Sequence, residues 1–387
     1  MRFSNRTSSD LSNNPLAAAM QRVGQSQVLD LTDSNPTKCG FEYPPEFLRS
    51  LNQPEALVYE PRSFGISKAR QAVMDYLKSR GTETLVSNVV LTASTSEAYS
   101  YLFKLLGNSG DSILVPTPGY PLLEHLASLE EMETLRYPLR MSPGWPVDLE
   151  MTEKVLRPNT KALVVVNPNN PTGSFLSPED QGALLNLCQK REIAYISDEV
   201  FGDFAYTKDI STIRPKSSVL SFRLGGLSKS LGLPQLKLSW MVVDGPPKLL
   251  SECLERLELI ADTYLSVNTP VQLILEELLA FAPSIQHQIK TRILTNRSFL
   301  ERHLDAVKGI KVWPGQGGWY ALIEVLNPNE TDEQLAIGLL EKHKVLVHPG
   351  RFYDFPKGCF LVLSLLAKPF VWEEGVTRLK EFLASKG

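Results

Sequence analysis

"KALVVVNPNNPTG" (161–173) is the stretch on which the fold turns. Its first half is apolar at every position, not at alternate ones, which is the pattern of a strand covered on both faces. Its second half is crowded with Asn, Pro and Gly, the residues of a tight turn. A strand followed at once by a polar turn sets side chains at the strand's C-terminal end, where open α/β sheets bind ligands.

Other short apolar runs flank this one: "NVVLTA" (88–93), "SILVP" (112–116), "IAYIS" (193–197), "VLSFR" (219–223) and "LSWMVV" (238–243). Between them lie helical patterns such as "SKARQAVMDYLKSRG" (67–81), which ends on a capping glycine, and "TSEAYSYLFKLLG" (95–107). Strands interleaved with helices predict an α/β architecture, a mainly parallel sheet flanked by helices. After about residue 246 the pattern changes. Helical stretches over 247–262 and 269–306 precede "GGWYALIEV" (317–325), a helix at 332–343, "KVLVH" (344–348), "FLVLSLL" (360–366) and a last helix, which predicts a smaller α+β domain. Residues 1–30 are polar and irregular and read as an arm.

Composition narrows the function classes. The chain has 387 residues and a net charge of −3, so there is no electrostatic case for nucleic acid or an anionic membrane. "MRFSNRTSSD" (1–10) lacks a signal-peptide core, and no apolar run approaches the roughly 18 residues that span a bilayer. Cys39, Cys188, Cys253 and Cys359 are far apart and read as reduced, mostly buried thiols of a cytoplasmic protein. Five histidines without ligand spacing predict no metal site.

Three segments carry the chemistry. "NPNNPTG" contributes Asn170; "ISDEVF" (196–201) contributes Asp198, at the end of an apolar run where a carboxylate needs a cation. "GGLSKSLGLPQLK" (225–237) contributes Lys229, again just after a strand. Taken alone, Lys229 could bind phosphate, react covalently or be a surface lysine. It is not a nucleotide P-loop lysine, because Ser228 stands where GxxxxGK[ST] requires glycine. "GQGGWY" (315–320) is likewise no dinucleotide fingerprint. Ser94–Glu97 fits a helix capping box, and a capped N-terminus is also an anion site.

An amide, a carboxylate and a lysine at successive strand ends, in the order "NPTG", "SDEV", "GLSK", resemble the class I/II aminotransferases, fold-type I enzymes that use pyridoxal 5'-phosphate. "YEPRSFGISKAR" (59–70), "TASTSEA" (92–98) and "PTPGYP" (116–121) extend the resemblance from about residue 30 to the C-terminus. It implies a large cofactor domain over 46–265, a small C-terminal domain over 266–387, and an N-terminal segment, 1–45, that serves as arm and as part of the small domain. It further implies that Lys229 is the Schiff-base lysine and proton carrier, Asp198 the partner of the ring nitrogen, Asn170 the partner of the ring hydroxyl and Tyr120 the stacking aromatic. Ser94, Thr95, Ser96 and Ser228 would surround the phosphate. Tyr59 would reach it from the neighbouring subunit, so the implied assembly is a homodimer. Asn35 in "SNPT" and Trp319 in "GGWY" would line the pocket for an amino acid and a 2-oxo acid.

Three positions depart from the family pattern. Lys237 stands where an arginine grips phosphate, keeping the charge but not the planar fork. Phe201 stands where a tyrosine donates to the cofactor's ring oxygen. Val362 stands where an arginine pairs with the substrate carboxylate, and Arg351 in "HPGRFYDF" is a nearby candidate to replace it or an ordinary surface arginine. Because of Val362, a lyase, decarboxylase, racemase or cyclising synthase on the same cofactor stays open beside transamination, as does a cofactor-binding regulator without turnover.

Overall fold

The structure is a computed structural model that describes residues 3–7, 14–24, 28–207 and 218–386. Its strands are β1 (Leu29–Asp30), β2 (Val89–Thr92), β3 (Ser112–Thr117), β4 (Glu133–Pro138), β5 (Thr160–Val166), β6 (Ala194–Asp198), β7 (Ser221–Gly226), β8 (Ser239–Asp244), β9 (Ile310–Val312), β10 (Tyr320–Val325), β11 (Val345–Leu346), β12 (His348–Pro349) and β13 (Phe360–Ser364).

Seven strands form one sheet in the order β2-β8-β7-β6-β5-β3-β4. Only β8 runs antiparallel, against both β2 and β7; β4, β3, β5, β6 and β7 pair in parallel. The apolar runs are buried because helices cover both faces. On one face Ala98, Tyr99 and Leu102 of helix Thr95–Leu106 pack on Val90, Ile196 and Phe222. On the other, Leu184, Leu185 and Cys188 of helix Pro178–Arg191 pack on Leu163 and Tyr195. The four cysteines are buried and free of disulfides, and among the described residues no helix is long and apolar enough to cross a membrane.

The C-terminal third builds an antiparallel sheet, β12-β13-β10-β9, against helices Ala282–Leu304, Asp332–His343 and Pro369–Ala384. Trp372 is fully buried and donates from Nε1 to Asn296 O at 2.8 Å, while the Asn296 amide donates to Leu365 O and Ala367 O, both at 2.9 Å. Leu29 and Asp30 pair in parallel with Val345 and Leu346, tying the N-terminal segment to this half.

Four local differences from the sequence pattern have physical causes. The supposedly irregular lead-in contains helix Pro15–Val23, started by the Asn14 side chain accepting from Ala17 N and by Pro15 at the first helical position. β4 escaped notice because "ETLRYP" is half polar, as befits an edge strand. The stretch 269–306 breaks into Thr269–Leu273, Leu275–Ala280 and Ala282–Leu304, with Pro283 in the first turn of the last. The strand drawn at 219–223 begins at Ser221 and runs on to Gly226, which brings Lys229 directly off its end.

Candidate active site

Register brings the critical strand ends into one row. Val166, Asp198 and Leu224 are neighbours across β5, β6 and β7. Through Ser239 of β8, Gly226 is in line with Thr92. The loops carrying Asn170, Asp198, Lys229 and Ser94–Ser96 therefore leave the same edge of the sheet, and Tyr120 follows β3 at that edge.

The turn after β5 distinguishes its three asparagines. Asn167 Oδ1 accepts from Leu176 N at 2.9 Å. Asn169 Oδ1 accepts from Thr172 Oγ1 at 2.9 Å, and its amide donates to Pro118 O. Both are consumed in holding the turn. Asn170 is 6% exposed, yet among the described residues its Oδ1 has no partner, which leaves an acceptor open at the sheet's ligand edge. "GQGGWY" locks this turn from outside, since Gln316 N and Gly317 N both donate to Gly173 O at 2.9 Å. Gly173 has φ +66°, and a Cβ there would come within 2.5 Å of Gly317 O, so only glycine fits.

Asp198 accepts from Tyr99 Oη at 3.0 Å and from Val200 N at 3.1 Å. Burial pushes its pKa up to about 6, while the Val200 N–H, the Tyr99 hydroxyl and the Lys229 charge pull it back. Lys229 follows in the short helical turn Leu227–Ser230. Its Nζ lies 5.0 Å from the Trp319 ring and 5.5 Å from the Phe201 ring. Burial draws its pKa down to about 8, with Asp198 opposing. Phe201 packs edge-on against Trp319 at 5.3 Å and Tyr320 at 6.1 Å. Trp319 is fully buried, and among the described residues its Nε1 has no partner.

Ser94 caps helix Thr95–Leu106 and accepts from Glu97 N at 3.1 Å. Glu97 reaches past the cap to accept from Ala93 N at 2.7 Å, so the capping box is only half closed. Among the described residues the side chains of Thr95, Ser96 and Ser228 have no hydrogen-bond partner. Lys237 is exposed and left-handed, with φ 49° and ψ 56°. Tyr120 is half exposed and Tyr59 is 75% exposed.

Two predicted pocket residues are otherwise engaged. Asn35 Oδ1 accepts from Thr37 N and Thr37 Oγ1, capping its own turn. Arg351 pairs with Glu333, and its backbone N–H donates to Asp332 Oδ2 at 2.8 Å. No contact among the described residues joins Arg351 to Lys229, Asp198 or Asn170. Tyr99, Ser34, Tyr320, Tyr353 and His348, to which the sequence reading gave no role, belong to the site's surroundings. Ser34 and Asn170 lie against the Tyr320 phenol, whose pKa burial pushes up to about 12.

A cavity of about 620 Å³ lies elsewhere, lined by Arg80, Glu199, Asp203, Arg223 and Trp240 among others. Glu199 and Arg223 alternate with Asp198 and Leu224 along the chain and so face the opposite side of the sheet.

The unmet demands at the strand ends are specific. A low-pKa amine needs an electrophile, a buried carboxylate needs a cationic partner, and an orphaned amide oxygen needs a hydroxyl. A pyridine aldehyde carrying a hydroxyl and a phosphate meets all of them, so the residues fit the cofactor.

A fold of this kind with a lysine at this strand end is shared with the aminotransferases. The chain matches the family aminotransferase class I and II over residues 28–362 and belongs to it. It is 31% identical over 381 residues to an alanine aminotransferase of Mycobacterium tuberculosis, covering 95% of this chain and 88% of that one. It is 29% identical to the glutamate-pyruvate aminotransferase AlaA of Escherichia coli, covering 86% and 84%. An alanine aminotransferase structure from Pyrococcus furiosus superposes with a TM-score of 0.87 at 25% identity, covering 96% and 95%. The enzyme is an aminotransferase of a family and fold that depend on pyridoxal phosphate.

Proposed function

We propose that this aminotransferase holds pyridoxal 5'-phosphate on Lys229 and moves an amino group between a small amino acid, such as alanine or glutamate, and a 2-oxo acid. The observation that carries the reading is the row of Asn170, Asp198 and Lys229 on adjacent strand ends, with Asn170 Oδ1 left unpartnered. The substrate class is supported by the named activities of the relatives and by the compact aromatic wall of Phe201, Trp319 and Tyr320.

When bound, the cofactor supplies an electron sink for the bond broken at the substrate's Cα. Lys229 Nζ, with a pKa near neutrality, attaches the cofactor and then holds or returns the proton at Cα. Asp198 keeps the cofactor's ring nitrogen protonated, and Tyr99 holds that carboxylate in place. Asn170 orients the ring hydroxyl and Tyr120 covers the ring. The open N–H groups and hydroxyls at Ser94, Thr95 and Ser96, with Ser228 and Lys237, take the phosphate. Phe201 and Trp319 exclude water around Lys229.

The same reading makes the enzyme a homodimer. Leu57, Val58 and Tyr59 form a consecutive exposed apolar run, 90%, 64% and 75% open, which a partner subunit would cover while Tyr59 enters its site. The buried, unbridged cysteines suit a cytoplasmic setting. A donor screen with alanine and glutamate, with and without 2-oxo acids, tests the activity. Lys229→Ala must abolish both turnover and the covalently bound cofactor. Light scattering reads the dimer, and cell fractionation the compartment.

A further inference from the structure

An amino acid and its 2-oxo acid share one charged group beside the reacting carbon, a carboxylate. That group needs a partner on the wall facing Lys229. Trp319, 5.0 Å from Lys229 Nζ, and Tyr320 stand on that wall, and Tyr353 lies within electrostatic reach of Tyr320. Arg351 is about half exposed and its guanidinium is paired with Glu333, away from Lys229, Asp198 and Asn170 among the described contacts. Val362 on β13 is fully buried and cannot pair with an anion.

Antiparallel register seats Val362 between Leu322 of β10 and His348 of β12. Directly paired residues project to the same face, and so does Tyr320, two residues from Leu322. His348 therefore stands beside Val362 on the Tyr320 face. Its Nδ1 lies 3.1 Å from Tyr353 Oη, and among the described residues its Nε2 has no partner. Tyr353 in turn is buried and lies within electrostatic reach of Tyr320 and Tyr120.

This pairing gives Nδ1 a hydroxyl partner, which suits an imidazole that carries its proton on Nε2. Tyr353 is held well above its ordinary pKa by burial, so it keeps its hydroxyl proton and has it to donate to Nδ1. The imidazole is held below its ordinary pKa by burial, against the weaker opposing pull of Asp30 on β1. A neutral imidazole accepting at Nδ1 carries N–H at Nε2.

We propose that His348, with its proton placed on Nε2 by Tyr353, donates the hydrogen bond that receives the substrate carboxylate, alongside the Tyr320 hydroxyl. The inference rests on the aminotransferase reading of the Lys229 site. It makes the carboxylate subsite a set of neutral donors instead of a cation, and His348 the residue that selects α-amino acids and 2-oxo acids.

The test uses holoenzyme carrying His348→Leu, His348→Gln or Tyr353→Phe. Two quantities are read: the KM and kcat for both substrates, and the calorimetric Kd for 2-methylalanine, which has the carboxylate but no hydrogen on Cα. His348→Leu is expected to raise both KM values and the Kd by roughly tenfold to a hundredfold, the loss of one hydrogen bond to a charged group, with kcat little changed. His348→Gln, which can still donate, recovers most of the affinity, and Tyr353→Phe falls between. An unchanged KM and Kd in His348→Leu overturns the proposal, as does an equal loss in a well-folded His348→Gln. If wild-type protein binds 2-methylalanine but transaminates neither alanine nor glutamate, the proposed substrate reading fails separately, and the Kd values still decide the role of His348.

Discussion

Tyr99 donates its hydroxyl proton to Asp198 Oδ2 at 3.0 Å, joining a helix on one face of the sheet to the end of β6. The bond stabilises a carboxylate that burial would rather keep neutral. Without cofactor, Asp198 binds its proton more tightly folded, at about 6, than unfolded, near its ordinary value of 3.8. The folded state therefore holds more protons between those values, and stability falls as pH rises through that window. Two units correspond to roughly 3 kcal/mol at most. Asp198→Asn is expected to raise the melting temperature of cofactor-free protein above pH 6, while lowering kcat by at least about a hundredfold, an expected scale for losing a catalytic electrostatic contact. Thermal melts at pH 4.5 and 7.5 check the sign: the gain must appear at the higher pH.

Lys229 responds in the opposite sense. Its folded pKa, about 8, lies below its ordinary 10.5, so the amine becomes reactive at lower pH than a surface lysine. Attachment of added cofactor to apoprotein is expected to accelerate about tenfold per pH unit below 8 and to level off above it. Asp198 raises the lysine's pKa, so the midpoint must move down in Asp198→Asn. Stopped-flow absorbance measures the rate, and borohydride reduction followed by peptide mapping locates the linkage. A flat profile between pH 6 and 8 would contradict the assignment.

The sheet and its reactive row were legible because each depends on local sequence. A continuous apolar run marks a doubly covered strand, and the residues just beyond it mark the sheet's ligand edge. Asn170, Asp198 and Lys229 are all reached in that way. The Tyr99–Asp198 bond was not, because it joins residues 99 apart and Tyr99 sits at an apolar helical position where packing explains it equally well. The role of residues 315–318 was hidden for a similar reason: their glycines serve a turn far away in the chain. His348 looked unremarkable until register placed it against Val362. Arg351 looked like a spare cation until the fold gave it Glu333.

Phe201 meets Trp319 edge-on at 5.3 Å and is almost fully buried, so the aromatic packing there is complete without a hydroxyl. With the cofactor held as proposed, Phe201→Tyr would add a donor beside its ring oxygen. The added hydrogen bond favours the deprotonated form of that oxygen, and the pH midpoint of the bound cofactor's visible absorbance is expected to drop by about one unit, the size of one net hydrogen bond. A spectroscopic titration of both proteins checks this, and an unmoved midpoint would place the residue 201 ring edge away from the cofactor.

Lys237 closes the turn after Lys229 in a left-handed conformation, exposed and without an ion-pair partner among the described residues. Its backbone is the kind normally given to glycine or asparagine, so the side chain is retained despite a local conformational cost. On the proposed reading the side chain would serve the phosphate, to which a lysine supplies charge but only a point contact. Lys237→Arg preserves the charge and adds a planar pair of donors, and cofactor loss during dialysis against a trapping amine is expected to slow by about threefold to tenfold. Lys237→Gly relaxes the backbone and removes the charge, so it should raise thermal stability of the apoprotein by about 0.5–1 kcal/mol while speeding cofactor loss. The two measurements separate the conformational from the electrostatic effect: equal cofactor loss in Lys237→Gly and wild type would exclude residue 237 from the phosphate site.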